Sequence, residues 1–193
     1  MNYAKIKYND IANGPGVRTS LFVSGCTHHC PDCFNAEAWD FAAGRPFTPE
    51  TAAEIIRSCG TPFVKGLSLL GGEPMEPENQ GPLAGFVRQF RAALPDKTVW
   101  CWSGYTLEQL LGRQPGRCRT EGTDAFLGLL DVLVDGPFLR EQKDLTLRFR
   151  GSRNQRIIDL RKTLAAGTVV LWTDDPLFSS HALPRTRGQE ARS

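Results

Sequence analysis

Cys26, Cys30 and Cys33 fall within eight residues, in the segment Ser24-Gly25-Cys26-Thr27-His28-His29-Cys30-Pro31-Asp32-Cys33-Phe34. Thiolate sulfur is a soft donor suited to zinc or to iron-sulfur clusters, and a cubic four-iron cluster asks for four ligands where this array supplies three. An iron left open can bind a substrate. The plain alternative is a closed zinc site with His28 or His29 as the fourth ligand. Either ring would have to fold back across a very short loop, and no second Cys-x2-Cys pair follows downstream. The spacing therefore favours the open cluster, with both histidines as polar loop residues near it.

Cys59, Cys101 and Cys118 are scattered, which is not the framework of a disulfide-stapled secreted domain. They read as buried or incidental thiols in a reducing compartment. The N-terminus has lysines with no apolar run behind them, and no stretch reaches membrane-spanning length, so a cytoplasmic protein without a membrane is expected. With 193 residues and 40% hydrophobic content the chain can bury a substantial core unaided. One domain over 1–175 is expected, followed by a loose tail over 176–193 rich in Ser, Arg, Gly and Gln.

Short apolar runs alternate with helical patterns, which predicts an α/β fold with a mainly parallel sheet. Thr19 to Ser24 reads as a first strand that delivers Cys26. A helix starts near Thr48 or Thr51, with Pro49 in its first turn and Thr51-x-x-Glu54 as a capping box. Gly66 to Leu70, Lys97 to Trp102 and Asp131 to Asp135 read as further strands. Leu83 to Leu94 reads as an amphipathic helix, and Thr106-x-x-Gln109 caps a short one. In such folds ligands bind beyond the C-terminal ends of the strands. There the cysteine loop, Gly71-Gly72-Glu73-Pro74, Ser103-Gly104-Tyr105 and Asp135-Gly136-Pro137-Phe138 converge on one rim.

The array, with Phe34 directly after its last cysteine, resembles the cluster motif of the radical S-adenosylmethionine (SAM) enzymes, and Gly71-Gly72-Glu73-Pro74 resembles their Gly-Gly-Glu-Pro motif. Four longer stretches narrow the likeness: Asn13 to Arg18, Trp102 to Thr106, Val132 to Phe138 and Arg150-Gly151-Ser152-Arg153-Asn154-Gln155. Together they resemble the activating proteins of anaerobic ribonucleoside-triphosphate reductase, from about Asn2 to Trp172. The resemblance implies an open, partial (β/α)6 barrel holding a 4Fe-4S cluster on Cys26, Cys30 and Cys33, with SAM on the fourth iron. Asp32, Cys33, Phe34 and Gly72 are the implied SAM neighbours, and Glu73 is either a rim carboxylate or a helper that orients the backbone. It also implies the activity, in which one electron from an outside donor such as flavodoxin cleaves SAM to a 5′-deoxyadenosyl radical, which takes hydrogen from a glycine loop of the partner reductase.

Asp135 is a candidate for the ribose hydroxyls or a cation, its alternative being a turn-initiating Asp before Gly-Pro. Arg150, Asn154 and Gln155 are candidates for partner contact. Arg148, Arg150, Arg153, Arg156 and Arg161 prompt a nucleic-acid reading, but the formal charge is only +2 and interleaved aromatics are few, so no nucleic-acid partner is expected. Two other activities remain open: an activase of another glycyl-radical enzyme such as pyruvate formate-lyase, and a non-catalytic iron-sulfur or zinc protein.

Overall fold

A computed structural model describes residues 1–174, and the expected tail at 176–193 lies outside the described residues. The chain begins with a strand that the sequence pattern does not announce. β1 (Asn2–Asp10) pairs antiparallel with β2 (Val17–Val23). The six residues between them are too few for a crossover, which dictates the antiparallel arrangement. Lys5 and Lys7 disguise β1, because their amines lie 5.0 and 5.3 Å from the centre of the Phe22 ring instead of in open solvent.

β3 (Arg45–Pro46) is a two-residue edge strand on β1, where a proline without an N–H does no harm. α1 (Pro49–Cys59) follows, capped by Thr48, whose Oγ1 accepts from Thr51 N at 3.3 Å. The cap is therefore one turn earlier than the box drawn from Thr51. β4 (Val64–Gly71) leads into α2 (Pro77–Ala93), which starts six residues before the expected Leu83. Gly81, Pro82 and Gly85 depress helix propensity and hide that start, although Pro77 suits a first turn. Its first turns are held from outside instead: Asn79 Nδ2 donates to Ser24 O and Glu73 O, both at 3.0 Å.

β5 (Thr98–Trp102), α3 (Leu107–Leu110), α4 (Thr123–Leu127), β6 (Val132–Asp135), β7 (Arg156–Asp159) and α5 (Leu160–Ala166) complete the order. The Thr106–Gln109 capping box is present. The sheet runs β3-β1-β2-β4-β5-β6-β7 and is open. It is mixed, which corrects the expectation of a mainly parallel sheet. β2, β4, β5 and β6 are parallel neighbours joined by helical crossovers, while β1, β3 and β7 pair antiparallel. No helix among the described residues is long and apolar enough to cross a membrane.

The two faces of the sheet differ in kind. Leu21, Val23, Leu67, Leu69, Val99, Cys101 and Leu133 point to one face and form the main core with the helices. Their sequence neighbours point to the other, where register sets Ser20, Ser68, Trp100 and Val132 in one row. Among the described residues no helix packs on the apolar cluster of that face, where Trp100, Val132 and Val134 meet Phe149 and Trp172.

Arg18 is fully buried on this second face. It donates to Ser68 Oγ at 2.8 Å, Leu67 O at 2.7 Å, Thr98 Oγ1 at 3.0 Å and Thr98 O at 3.1 Å, and lies 5.6 Å from the centre of the Trp100 ring. Burial pushes its pKa down to about 10, so it remains charged at neutral pH. Replacing it by Met removes the donors and leaves the buried acceptors Ser68 Oγ and Leu67 O short of a partner, each costing roughly 1–3 kcal/mol when unpaired. Arg18→Met is expected to lower the guanidinium unfolding midpoint with an unchanged slope. An unmoved midpoint would mean that water replaces the lost donors.

Candidate metal and cofactor site

The cysteine loop is an extension of β2 clamped on both flanks. Past Val23, Ser24 N donates to Asn2 O at 3.0 Å, Gly25 N to Ala38 O at 2.8 Å and Cys26 N to Trp39 O at 3.0 Å. From the other side Gly72 N donates to Val23 O at 2.7 Å and Glu73 N to Gly25 O at 2.8 Å. Beyond Cys26 the backbone turns through two left-handed residues, His29 (φ 46°) and Asp32 (φ 59°), of which Asp tolerates that region better than most. The fold is tight enough for Cys33 N to donate to Cys30 O at 3.2 Å.

All three thiols line one cavity of about 580 Å³, walled by Gly71-Gly72-Glu73, by Trp102-Ser103-Gly104 and by the strap between β6 and β7. None is in a disulfide. Among the described residues no three Cys, His, Asp or Glu side chains are already gathered at ligating distance, so ligation would draw the thiols together from the walls they line. The donor chemistry fits an anionic, sulfur-rich group. Asn35 N already donates to Cys33 Sγ at 3.4 Å, and beside it the Asn35 amide and Trp39 Nε1 are buried with no partner. Burial pushes the Cys26 thiol up to about 12, with the Glu73 and Glu76 charges adding to it against amide donation from His28 and His29. Burial also raises Cys30. Metal binding would therefore have to displace protons from these thiols.

Both histidines of the closed-zinc alternative pack against aromatic rings, and His28 also lines the cavity. The His29 ring packs on Trp39 at 4.7 Å, and the His28 ring on Tyr105 at 4.3 Å. His28 Nε2 also lies 3.2 Å from Glu73 Oε2, a charge contact when the ring is protonated. Gly104 permits this, since a Cβ there would come within 2.7 Å of the His28 ring.

Glu73 is a buried brace. Its Oε1 accepts from Met75 N at 2.8 Å and its Oε2 from Gly104 N at 2.6 Å, tying the β4 and β5 loops to His28. Both of these bonds are to backbone amides. Gly72 has a packing reason of its own: a Cβ would stand 2.5 Å from Gly25 O and 2.9 Å from Ala38 O. Phe34 is 79% exposed at the mouth, so it is not a core side chain. Asp32, also exposed, pairs with Arg140 at 2.9 Å.

Asp135 does not line the cavity. It is buried, with Oδ2 accepting from Leu107 N at 2.7 Å and Oδ1 from Arg156 Nε at 2.9 Å. These bonds occupy the oxygens that a ribose or a cation would need. The 150–155 segment likewise turns inward. Asn154 Nδ2 donates to Pro137 O at 2.7 Å, Gln155 Nε2 to Gly136 O at 3.1 Å and Arg150 Nη1 to Gln155 O at 2.6 Å. The segment thus staples the strap to the Gly136-Pro137 turn. The neighbouring arginines are paired within the chain: Arg148 with Asp174, Arg153 with Asp144, Arg156 with Asp135 and Glu108, and Arg161 with Asp131.

Two residues that hold the site were missed from sequence. Glu76 accepts from Thr27 N at 2.8 Å and Thr27 Oγ1 at 2.6 Å, and Asn79 holds Ser24 O and Glu73 O. The signal was the three-residue rhythm Glu73, Glu76, Asn79 after the glycine pair.

Residues 12–158 match the family described as a 4Fe-4S single cluster domain. The chain is also 42% identical over 159 residues to an anaerobic ribonucleoside-triphosphate reductase-activating protein of Vibrio cholerae, covering 81% of this chain and 97% of the relative. Its likeness to the protein of that name from Escherichia coli K12 is 40% over 163 residues, 83% of this chain and all of the relative. The chain belongs to this family of activating proteins. A member from Enterobacteria phage T4 is 35% identical over 159 residues, 81% of this chain and 93% of its own.

Gly72→Ala tests the clamp. The methyl group meets backbone carbonyls that cannot swing aside, so the variant is expected to lose roughly 1–3 kcal/mol of stability and to take up less iron. Parental iron content and stability would show that the cysteine loop yields freely.

Proposed function

We propose that this chain activates an anaerobic ribonucleoside-triphosphate reductase by radical SAM chemistry, as an oxidoreductase of the cytoplasm. Cys26, Cys30 and Cys33 would hold a 4Fe-4S cluster and leave its fourth iron to the amino and carboxylate groups of SAM. Given one electron from a donor such as flavodoxin, that cofactor pair supplies reductive cleavage of SAM to methionine and a 5′-deoxyadenosyl radical, which takes a hydrogen atom from a glycine of the reductase.

What supports the reading most is that the three thiols and the Gly-Gly-Glu turn line one cavity, in a chain whose relatives are named for reductase activation. About 580 Å³ is within the usual range for a small-molecule site. The exposed Phe34 ring next to Cys33 offers a flat face for adenine. The helix-free face of the sheet would be the lumen of a partial barrel, reached from the side that no helix closes. Leu145 on the strap is 89% exposed at the cavity and, with Phe34, gives the mouth an apolar rim. Such a rim suits a protein substrate that covers it.

Anaerobic reconstitution should give one four-iron cluster per chain, lost in Cys26→Ala, Cys30→Ala or Cys33→Ala and retained when the buried Cys59, Cys101 or Cys118 is replaced. SAM should change the electron paramagnetic resonance of the reduced cluster, and the reductase should then acquire a glycyl radical. Stoichiometric zinc without iron-sulfur absorption would sink the reading; activation of pyruvate formate-lyase alone would move it to another target. For the rim, Leu145→Glu is expected to lower glycyl-radical yield about tenfold, the loss of roughly 1.4 kcal/mol of contact, while SAM cleavage without partner persists. Equal loss of both activities would assign Leu145 to the SAM site.

A further inference from the structure

Glu76 is the residue before α2, yet its carboxylate makes no capping bond to that helix. It is fully buried and aimed back at the cysteine loop. Oε1 takes the amide and hydroxyl of Thr27, the residue directly after Cys26, and lies 3.4 Å from Tyr105 Oη. Oε2 is ion-paired with Arg117, whose side chain is 44% exposed and also bonds Glu78 at 2.7 Å. Gln80 fixes the loop that presents Arg117, donating to Cys118 O at 2.5 Å. A carboxylate shut away from water is costly unless it is paired and hydrogen-bonded, and Thr27 and Arg117 meet both conditions.

The consequence is electrostatic. A buried negative charge one residue from a cluster ligand opposes the addition of an electron, and a cation against it cancels that opposition; net charge near the site is among the terms that set iron-sulfur potentials. Solvent screens Arg117 more than Glu76 because it is half exposed. We propose that the Glu76–Arg117 pair sets the reduction potential of the centre held by Cys26, Cys30 and Cys33, with Glu76 as a positioning residue acting through Thr27. This rests on the reading that the array carries the cluster. The balance is simple: one electron passes from an external low-potential donor to the cluster, no proton is required, and the pair changes only how favourable that transfer is.

Opposite signs distinguish this from a merely structural role. The full-length protein, reconstituted anaerobically, is titrated with dithionite and redox mediators, following the reduced-cluster resonance. Glu76→Gln keeps an acceptor for Thr27 and removes the negative charge, so its potential is expected to rise. Arg117→Met removes the positive charge and should lower it. Each shift is expected on the order of a tenfold change in reduced-to-oxidised ratio at fixed poise, about 59 mV for one electron. The double variant should return most of the way to the parent, and Arg117→Lys should stay near it, which keeps the test usable if Arg117→Met fails to fold. Potentials that do not move, or that move the same way in both single variants, overturn the inference while the cluster stands. Absence of iron-sulfur absorption in the parent overturns the cluster reading itself.

Discussion

The site depends on two carboxylates kept out of water. Glu73 and Glu76 are 1% and 0% exposed, and neither spends its charge on a surface partner alone. Glu73 spans the loops after β4 and β5, and Glu76 joins the start of α2 to the turn after Cys26. Since an unpaired buried carboxylate is costly, each holds its donors where they are, and those donors belong to the loops that wall the cavity. The cysteine loop has little helix or strand of its own. It is shaped by what the neighbouring elements oblige it to satisfy.

This explains which parts of the molecule the sequence discloses. Strands β2, β4, β5 and β6 are apolar runs bounded by Gly, Pro or Asp, and their pattern identifies them within a few residues. β1 escapes because Lys5 and Lys7 rest on Phe22, so a strand that covers a sheet face looks like a solvated segment. The first turns of α2 escape because Gly81, Pro82 and Gly85 lower local propensity, while long-range bonds from Asn79 to Ser24 O and from Gln80 to Cys118 O help hold them. The mixed character of the sheet follows from β1 and β7, neither of which the pattern marks. In the site, the cysteines stand out because type and spacing are themselves chemical signals, and the structure brings all three to one cavity. Asp135 and the 150–155 segment were not, because a polar residue at a strand end reads the same whether it faces a ligand or, as here, Arg156 and a turn carbonyl.

The two faces of the sheet are built differently. Helices bury one face, and the alternate residues of the same strands are left to line the other. Arg18 is what that second face requires in place of a helix. Spanning β2, β4 and β5, it satisfies hydroxyls and carbonyls that a helical layer would have covered with apolar surface.

The strap between β6 and β7, which carries one 3-10 turn at Arg140–Gln142, forms a wall of the cavity. At its base Arg156 joins Asp135 and Glu108, and Asn154 and Gln155 grip the Gly136-Pro137 turn. Farther along, Trp102 Nε1 donates to Phe149 O at 2.7 Å, and Arg140 reaches Asp32 on the cysteine loop. Both ends are therefore fixed by polar staples, and Leu145 between them is left in solvent. Residues that read from sequence as a surface for a partner instead set the height of the span. What stands out beside the thiols is apolar: Leu145 on the span and, at the cavity mouth, Phe34.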